Sequence, residues 1–452
     1  MPSAARSAVA PLYLFACLIL GGSAQGVWGN MLLQLAGGAI IAWAAAAPAD
    51  APLPRAAKAL LLLAIVAIVI VALQAVPLPP SVWADGPRAR IAEDYQLLGV
   101  PLPALPTSLT PYASLGALLC LMPPLAMFCA IVRLNAYRVG WLAAALLAGT
   151  IAGIMVGALQ VVSAGSNSPW YLYRETNGGL AVGFFANTNH MADLLLIAIP
   201  FVAAIASAGK GPNIQRYSAL LFVVPGIGLV LLAGIGMNGS LAAYGLAVPI
   251  VAASALIVLP STNRWRTWIA ALVGLSVIVS LAALANSPTG VTRIGQDPSG
   301  SVQSREPILA TTGKAILDFM PLGSGLGSFV KVYRLYESPD AVTNEYVIHV
   351  HNDYVELALE LGVPGVILLL LFLAWWAIQC FRVWRKGEGG PWTRAASIAS
   401  AAVLVHSLVD FPLRTAAISA CFAMCLALLT GCRLPVRQDK SDLRPTRHVI
   451  IG

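Results

Sequence analysis

The stretch "HNDYVELALELGVPGVILLLLFLAWWAI" (351–378) decides the fold. From Val366 onward it is an unbroken apolar run, as expected of a helix that crosses the hydrocarbon core of a bilayer, which needs ~20 such residues. The part before Val366 carries a histidine, an asparagine and three acidic side chains. We therefore interpret this stretch as a membrane helix that is preceded, at the edge of the membrane, by a polar segment whose side chains could take part in chemistry.

The rest of the chain repeats the apolar half of this pattern. Hydrophobic residues make up 58% of the sequence and charged residues only 10%, whereas soluble domains carry about 25% charged residues. We predict an all-α, polytopic membrane protein with about twelve transmembrane helices. The predicted spans are 9–29, 31–47, 57–76, 112–132, 140–164, 188–208, 218–236, 240–260, 267–286, 361–381, 395–411 and 415–431.

These spans divide the chain into four regions. Residues 1–286 contain spans one to nine, with loops at 77–111 and 165–187; residues 287–360 form a large loop; residues 361–431 contain the last three spans; and 432–452 are a basic tail. Short cytoplasmic loops retain lysine and arginine, and this rule places both termini in the cytoplasm. The net charge of +8 then reports orientation, so no nucleic-acid partner is needed to explain it.

The loop at 287–360 is the main candidate for function, because loops this long are usually functional or disordered. Its sequence favours order: a helical pattern covers 304–320, a glycine-rich turn covers 321–329, and an aromatic stretch covers 330–337. We predict that the loop holds short helices on the outer face, between the ninth and tenth spans.

Two groups of polar side chains lie at the outer ends of spans, where ionisable residues are costly and raise a functional hypothesis. The first lies in "GFFANTNHMADLLL", where helix capping and ligand contact are both open for the asparagines, and His190 with Asp193 has the spacing of a structural pair. The second, in "HSLVDFPLR", holds His406, Asp410 and Arg414 at helical spacing. Here a structural His/Asp pair is favoured, with a supporting role for a site left open.

The large loop carries the other two groups. Arg305 begins its predicted helix, and a guanidinium suits a phosphate because it donates two parallel hydrogen bonds; pairing with an acidic residue of the loop is the alternative. His349 and His351 lack partners at metal-site spacing, so we predict no metal. A neutral imidazole can instead accept a proton from a hydroxyl group.

Taken together, four stretches resemble the O-antigen ligase and O-antigen polymerase superfamily of bacterial membrane glycosyltransferases. These are "GFFANTNHMADLL" (183–195), "SR" (304–305) followed by "AILDFMPLGSGLGSF" (315–329), "HNDYVELALELGVPG" (351–365) and "HSLVDFPL" (406–413). The block that runs from His351 to Gly365, ahead of a membrane span, is the most specific of them.

The resemblance implies an enzyme of the bacterial inner membrane with its active site facing the periplasm. Such an enzyme takes glycan from undecaprenyl diphosphate and passes it to an acceptor hydroxyl with inversion, without a metal or cofactor. Its partners would be the lipid-linked donor, a glycan or lipid-linked acceptor and membrane lipid. By resemblance, His351 is the base and Arg305 binds the diphosphate. The other candidates are substrate-binding Asn352, Tyr354, Glu356, His349, Asn189, His190, Arg334 and Arg414, and supporting His406 and Asp410.

One departure from the family pattern bears on the type of enzyme. Many members carry a Ser-Arg pair at the start of the eighth span, where this chain has Ser240 followed by Leu241. The residues that could replace this arginine are Arg174, Arg293, Arg334 and Arg414. The departure favours a polymerase of a surface polysaccharide or exopolysaccharide. An O-antigen ligase acting on lipid A core is the alternative, and a transporter or a non-catalytic export scaffold is the alternative from another class.

Overall fold

The computed structural model describes residues 4–23, 27–48, 52–163, 167–209, 214–260, 264–285, 305–342 and 346–431. Within these ranges the chain is mostly helical, with one two-stranded antiparallel pair, β1 (Pro77–Leu78) with β2 (Leu105–Pro106), and with non-helical connections such as those at 168–187 and 346–352. The all-α class is thereby confirmed. The helices are α1 (Ala4–Leu20), α2 (Trp28–Ala46), α3 (Arg55–Gln74), α4 (Pro80–Trp83), α5 (Ala89–Leu97), α6 (Pro111–Cys120), α7 (Met122–Val132), α8 (Val139–Val162), α9 (Thr188–Ala208), α10 (Ile214–Asn238), α11 (Leu241–Val258), α12 (Trp265–Ala285), α13 (Arg305–Phe319), α14 (Phe329–Tyr336), α15 (Asp353–Arg385), α16 (Pro391–His406) and α17 (Ala416–Leu429).

Each predicted span overlaps at least one of these helices; the first overlaps α1 and the first two residues of α2, and the fourth overlaps both α6 and α7. Among the described residues, seven helical segments are long and apolar enough to cross a membrane: α2, α3, α6 with α7, α8, α9, α11 and α15. The number of spans and the cytoplasmic placement of the termini remain predictions. Residues 286–304 and the tail from 432 lie outside the described residues.

The helices differ in how deeply they are buried, which shows where the core lies. In α9, 67% of the residues of its apolar stretch are buried, whereas in α3 only 17% are buried. Helix α17 is buried along almost its whole length, and α9, α16 and α17 pack in one apolar core with α1, α7, α8 and α11. A polar side chain on α9 or beside α16 is therefore enclosed by protein instead of facing lipid.

The large loop has a small core of its own. Helices α13 and α14 pack against the segment that leads into α15 and against its first turns, as the buried side chains Ile308, Phe319, Phe329, Val350 and Leu359 show. Burial of such apolar side chains stabilises by roughly 25 cal/mol per Å². The helical pattern predicted for 304–320 is confirmed as α13, and the aromatic stretch at 330–337 is helical as α14.

A kink divides α15 into a polar first part and an apolar second part. It lies at Gly362, whose φ of 60° and ψ of −149° are not helical and favour glycine. A Cβ at Gly362 would overlap the carbonyl oxygen of Pro321, so the turn at 321–325 also requires glycine there. The amides of Ser324 and Gly325 donate to the carbonyls of Leu359 and Glu360, each at 2.9 Å.

The ends of the helices form two separate groups of contacts. At one end, Gln74 Nε2 donates to the carbonyls of Leu322 and Glu360, both at 3.0 Å, which ties α3 to the large loop. At the other end, Arg6 Nε donates to the carbonyl of Leu134 at 2.9 Å, and Arg133 Nη2 to that of Ala47 at 2.6 Å. The second group consists of segments predicted to face the cytoplasm.

Candidate functional site

The chain that leads into α15 is neither helix nor strand from 346 to 350 and bends at His351. The φ of His351 is 55°, a left-handed conformation that is uncommon for a residue with a Cβ and often marks a functional site. Asn352 then caps α15: its Oδ1 accepts from the amides of Tyr354 at 3.0 Å and Val355 at 3.1 Å. The turn and the cap together fix where the imidazole of His351 can lie.

His351 forms a pair with Asp410. Its Nδ1 lies 3.3 Å from Asp410 Oδ1, and the side chain of His351 is 33% exposed while that of Asp410 is fully buried. Because a carboxylate can only accept, Nδ1 is the protonated nitrogen of a neutral His351, and Nε2 keeps its lone pair. This arrangement suits a general base, because a buried acid holds the imidazole in one tautomer and can stabilise the imidazolium.

Asp410 is itself fixed by three donors. Its Oδ1 also accepts from the amide of Phe411 at 2.9 Å, and its Oδ2 accepts from Asn189 Nδ2. Ser240 Oγ donates to Asn189 Oδ1 at 2.8 Å, so α9 and α11 both position the acid. Both oxygens of Asp410 thus face donors, as an ionised carboxylate requires because it can only accept.

Phe411 lies among three histidine rings. Its ring centroid is 4.2 Å from that of His349, 5.1 Å from that of His351 and 5.2 Å from that of His190. His190 is buried, and neither of its ring nitrogens has a hydrogen-bond partner among the described residues. His349 and His351 are two residues apart in sequence, which would place them on different faces of a helix. Because this segment is not helical, both rings can contact the phenyl group of Phe411.

A second cluster gathers three carboxylates around Arg414. The guanidinium reaches Glu356 Oε1 at 3.1 Å, Glu360 Oε2 at 3.5 Å and Asp353 Oδ1 at 3.6 Å. Glu356 also lies 2.9 Å from Nδ1 of His349. Burial alone would lower the pKa of Arg414, but the charges of Glu356, Glu360 and Asp353 raise it above its ordinary value. Arg414 therefore stays protonated at every physiological pH.

The structure assigns the structural pairs differently from the sequence. His406 Nδ1 lies 2.7 Å from Asp193 Oδ1, and both side chains are buried. Helical spacing left a pair of His190 with Asp193 open and favoured a pair of His406 with Asp410. In the structure Asp193 faces His406, His190 contacts Phe411, and Asp410, in the turns after the end of α16, faces His351. For the asparagines, Asn187 is the cap of α9 and Asn189 reaches Asp410.

The remaining predicted residues lie around this centre or away from it. Asn352 Nδ2 donates to the carbonyl of Leu408 at 2.9 Å, and Tyr354 Oη to that of Leu404 at 2.6 Å. Asn352 therefore holds α15 to the segment after α16, and Tyr354 holds α15 to α16 itself. Arg334 lies over the ring of Tyr346, 4.8 Å from its centroid. Arg305 is the first residue of α13, and its side chain lies outside the described part of the chain, as does Arg293.

Sequence reasoning missed Phe411, the Asn189–Ser240 contact and the function of Gln74. Ser240 was considered only for the arginine that does not follow it, yet it caps α11 and supports Asn189. A buried polar residue inside an apolar span was the available signal for Gln74, since such a group needs a partner. For Phe411 the sequence carried no signal, because an aromatic residue beside a membrane helix is ordinary.

Comparison with known proteins bears on one third of the chain. Residues 226–370 match the model of a family described as O-antigen ligase, which confirms the resemblance to the O-antigen ligase and polymerase superfamily over that region. The match includes His349 and His351 but ends before Asp410 and Arg414. No curated protein matches the chain. With its apolar helices, the chain is a multi-pass membrane protein that carries a domain of the ligase and polymerase type.

Proposed function

We propose that this protein transfers glycan from undecaprenyl diphosphate to an acceptor hydroxyl at the outer face of the bacterial inner membrane. The observation that carries the proposal is the pairing of His351 with Asp410: a partly exposed imidazole faces a buried carboxylate that accepts three hydrogen bonds. His351 lies within the region that matches the O-antigen ligase family, and Asp410 lies after it in the chain. A metal-independent, inverting transfer needs this kind of base.

The reaction follows from the tautomer of His351. The acceptor hydroxyl gives its proton to Nε2, its oxygen forms a bond to the anomeric carbon of the donor sugar, and the bond from that carbon to the carrier diphosphate breaks. The electron pair leaves with the diphosphate. The imidazolium that forms is stabilised by Asp410, and general-base catalysis of this kind contributes about 100- to 10,000-fold.

The leaving diphosphate needs a cation, and we assign this role to Arg305. It begins α13, which packs beside the first part of α15 through the small core of the loop. A guanidinium held in a water-poor site stabilises the charge that grows on the leaving group. Helix α13 also carries Lys314, an exposed cation nine residues further on, which provides a matched control.

Alanine substitutions test the proposal. His351→Ala and Arg305→Ala should each abolish most glycan transfer, whereas Lys314→Ala should retain it, with all three proteins present in the membrane at equal levels. The assay is the analysis of carrier-linked and acceptor-linked glycan by gel electrophoresis. Transfer that persists in both His351→Ala and Arg305→Ala contradicts the proposal, and unchanged glycans together with altered solute uptake would indicate a transporter.

The same experiment separates the two enzyme types. We propose a polymerase of a surface polysaccharide or exopolysaccharide, supported by the absence of an arginine after Ser240. A polymerase variant loses long chains on the carrier. A ligase variant accumulates long chains on the carrier and leaves lipid A core bare, and this result would replace the polymerase assignment.

A further inference from the structure

We infer that Arg414 is a positioning residue that clamps the loop of His351 onto the segment of Asp410, and that it does not bind the diphosphate. This inference rests on the proposed function, because it assigns a role within the same site. It gives Arg414 a role different from that of Arg305, although the sequence predicted that both arginines contact substrate.

Arg414 is already engaged by carboxylates on two of its nitrogens. Nη2 reaches both Glu356 and Glu360, and Nε faces Asp353. These acids stand at the first, fourth and eighth positions of α15, a spacing that places them on one face of the helix. Glu356 and Glu360 are almost fully buried, and the side chain of Arg414 is only 24% exposed. The guanidinium therefore docks the segment at 407–414 onto the polar part of α15.

Two of these acids, Glu356 and Asp353, also fix the backbone on both sides of His351. Before His351, Glu356 accepts from the amide of Val350 at 3.2 Å and contacts His349. After it, the amide of Asp353 donates to the carbonyl of Ser407 at 3.0 Å, and Ser407 Oγ donates to Asp353 Oδ2 at 3.0 Å. His351 is thus held from two directions by groups that depend on Arg414.

Asp410 belongs to the other half of the clamp. It lies four residues before Arg414, in a segment of consecutive turns in which the amide of Arg414 donates to the carbonyl of Phe411 at 3.2 Å. A shift of this segment relative to α15 would change the distance from His351 to Asp410, which is already 3.3 Å. Misplacement by about 1 Å can lower a rate about 100-fold.

Charge argues against a diphosphate at Arg414. Three carboxylates face one guanidinium, so a diphosphate at the same group would be repelled by buried anions that lie within 3.6 Å of it. Buried ion pairs are poorly screened, and removal of one partner leaves the others uncompensated. The diphosphate is therefore expected away from this cluster.

Compensating substitutions distinguish the two roles. Arg414→Gln should lower the transfer rate about 100-fold and lower the melting temperature. Arg414→Gln with Glu360→Gln should recover at least about tenfold in rate and part of the melting temperature. The double variant removes one charge of each sign, and the new amide oxygen still accepts from the amide of Phe329, as Glu360 does at 3.3 Å. Undecaprenyl diphosphate alone is the binding probe, and Arg414→Gln should leave its Kd unchanged while Arg305→Ala raises it.

Two results would overturn the inference. The first is a tenfold or greater rise in the Kd of undecaprenyl diphosphate in Arg414→Gln, which corresponds to about 1.4 kcal/mol of binding free energy. The second is a double variant whose transfer rate does not recover. Failure of the proposed function has a different signature. In that case His351→Ala and Arg305→Ala leave transfer intact, while the melting temperatures of the Arg414 variants still report whether the clamp exists.

Discussion

Replacement of Asp410 by asparagine removes one buried charge at nearly constant shape. Asp410 accepts from Phe411, Asn189 and His351, whereas an asparagine has one acceptor oxygen. Its amide nitrogen must therefore meet a side chain that can accept. Asn189 can do so through its amide oxygen, and His351 can do so by accepting at Nδ1 and carrying its proton on Nε2, which disables the base. In either orientation His351 loses the negative charge that stabilises its imidazolium.

The expected loss follows from the interaction that disappears. A hydrogen bond to a charged group contributes about 1.5–3 kcal/mol, and ~1.36 kcal/mol corresponds to tenfold in rate, so the lost charge alone gives about 10- to 150-fold. If His351 also changes its tautomer, the loss rises toward the ~10,000-fold loss known for such acids in serine proteases. We expect Asp410→Asn to lose at least about tenfold in single-turnover transfer per folded protein.

Asp193→Asn is the matched control. Asp193 is equally buried and paired with a histidine, His406, at 2.7 Å. The Asp193→Asn variant should have a lower melting temperature, but its turnover should stay within about threefold of that of the unsubstituted protein, because no base is reoriented. Turnover by Asp410→Asn within about threefold of the unsubstituted protein would refute the reasoning that His351 depends on Asp410.

Two further predictions concern stability. Gly362→Ala should prevent accumulation of folded protein, measured by size-exclusion chromatography, because a Cβ meets the carbonyl of Pro321 and φ is 60°; Gly313→Ala, in open space on α13, should not. Gln74→Leu should lower the free energy of unfolding by about 2 kcal/mol in denaturant titration, since two hydrogen bonds are lost.

Sequence determined the helical class, the positions of the apolar segments and the start of α15. These features depend on local chemistry: length and hydropathy identify helices that suit a bilayer, Asn352 caps the helix that follows it, and Gly362 permits the kink. The importance of His351 also came from sequence, through its family resemblance, and the match at 226–370 is consistent with it.

Only the tertiary structure decided which side chains meet. Helical spacing predicted that His406 would pair with Asp410, but the end of α16 turns Asp410 toward His351 and leaves His406 to Asp193 on α9. Arg414 was one of four arginines considered as a replacement, and packing of α15 on the segment at 407–414 gives it three carboxylates. The reason is physical: periodicity fixes which residues share a face of one helix, whereas pairing of buried charges depends on which faces of different helices pack together.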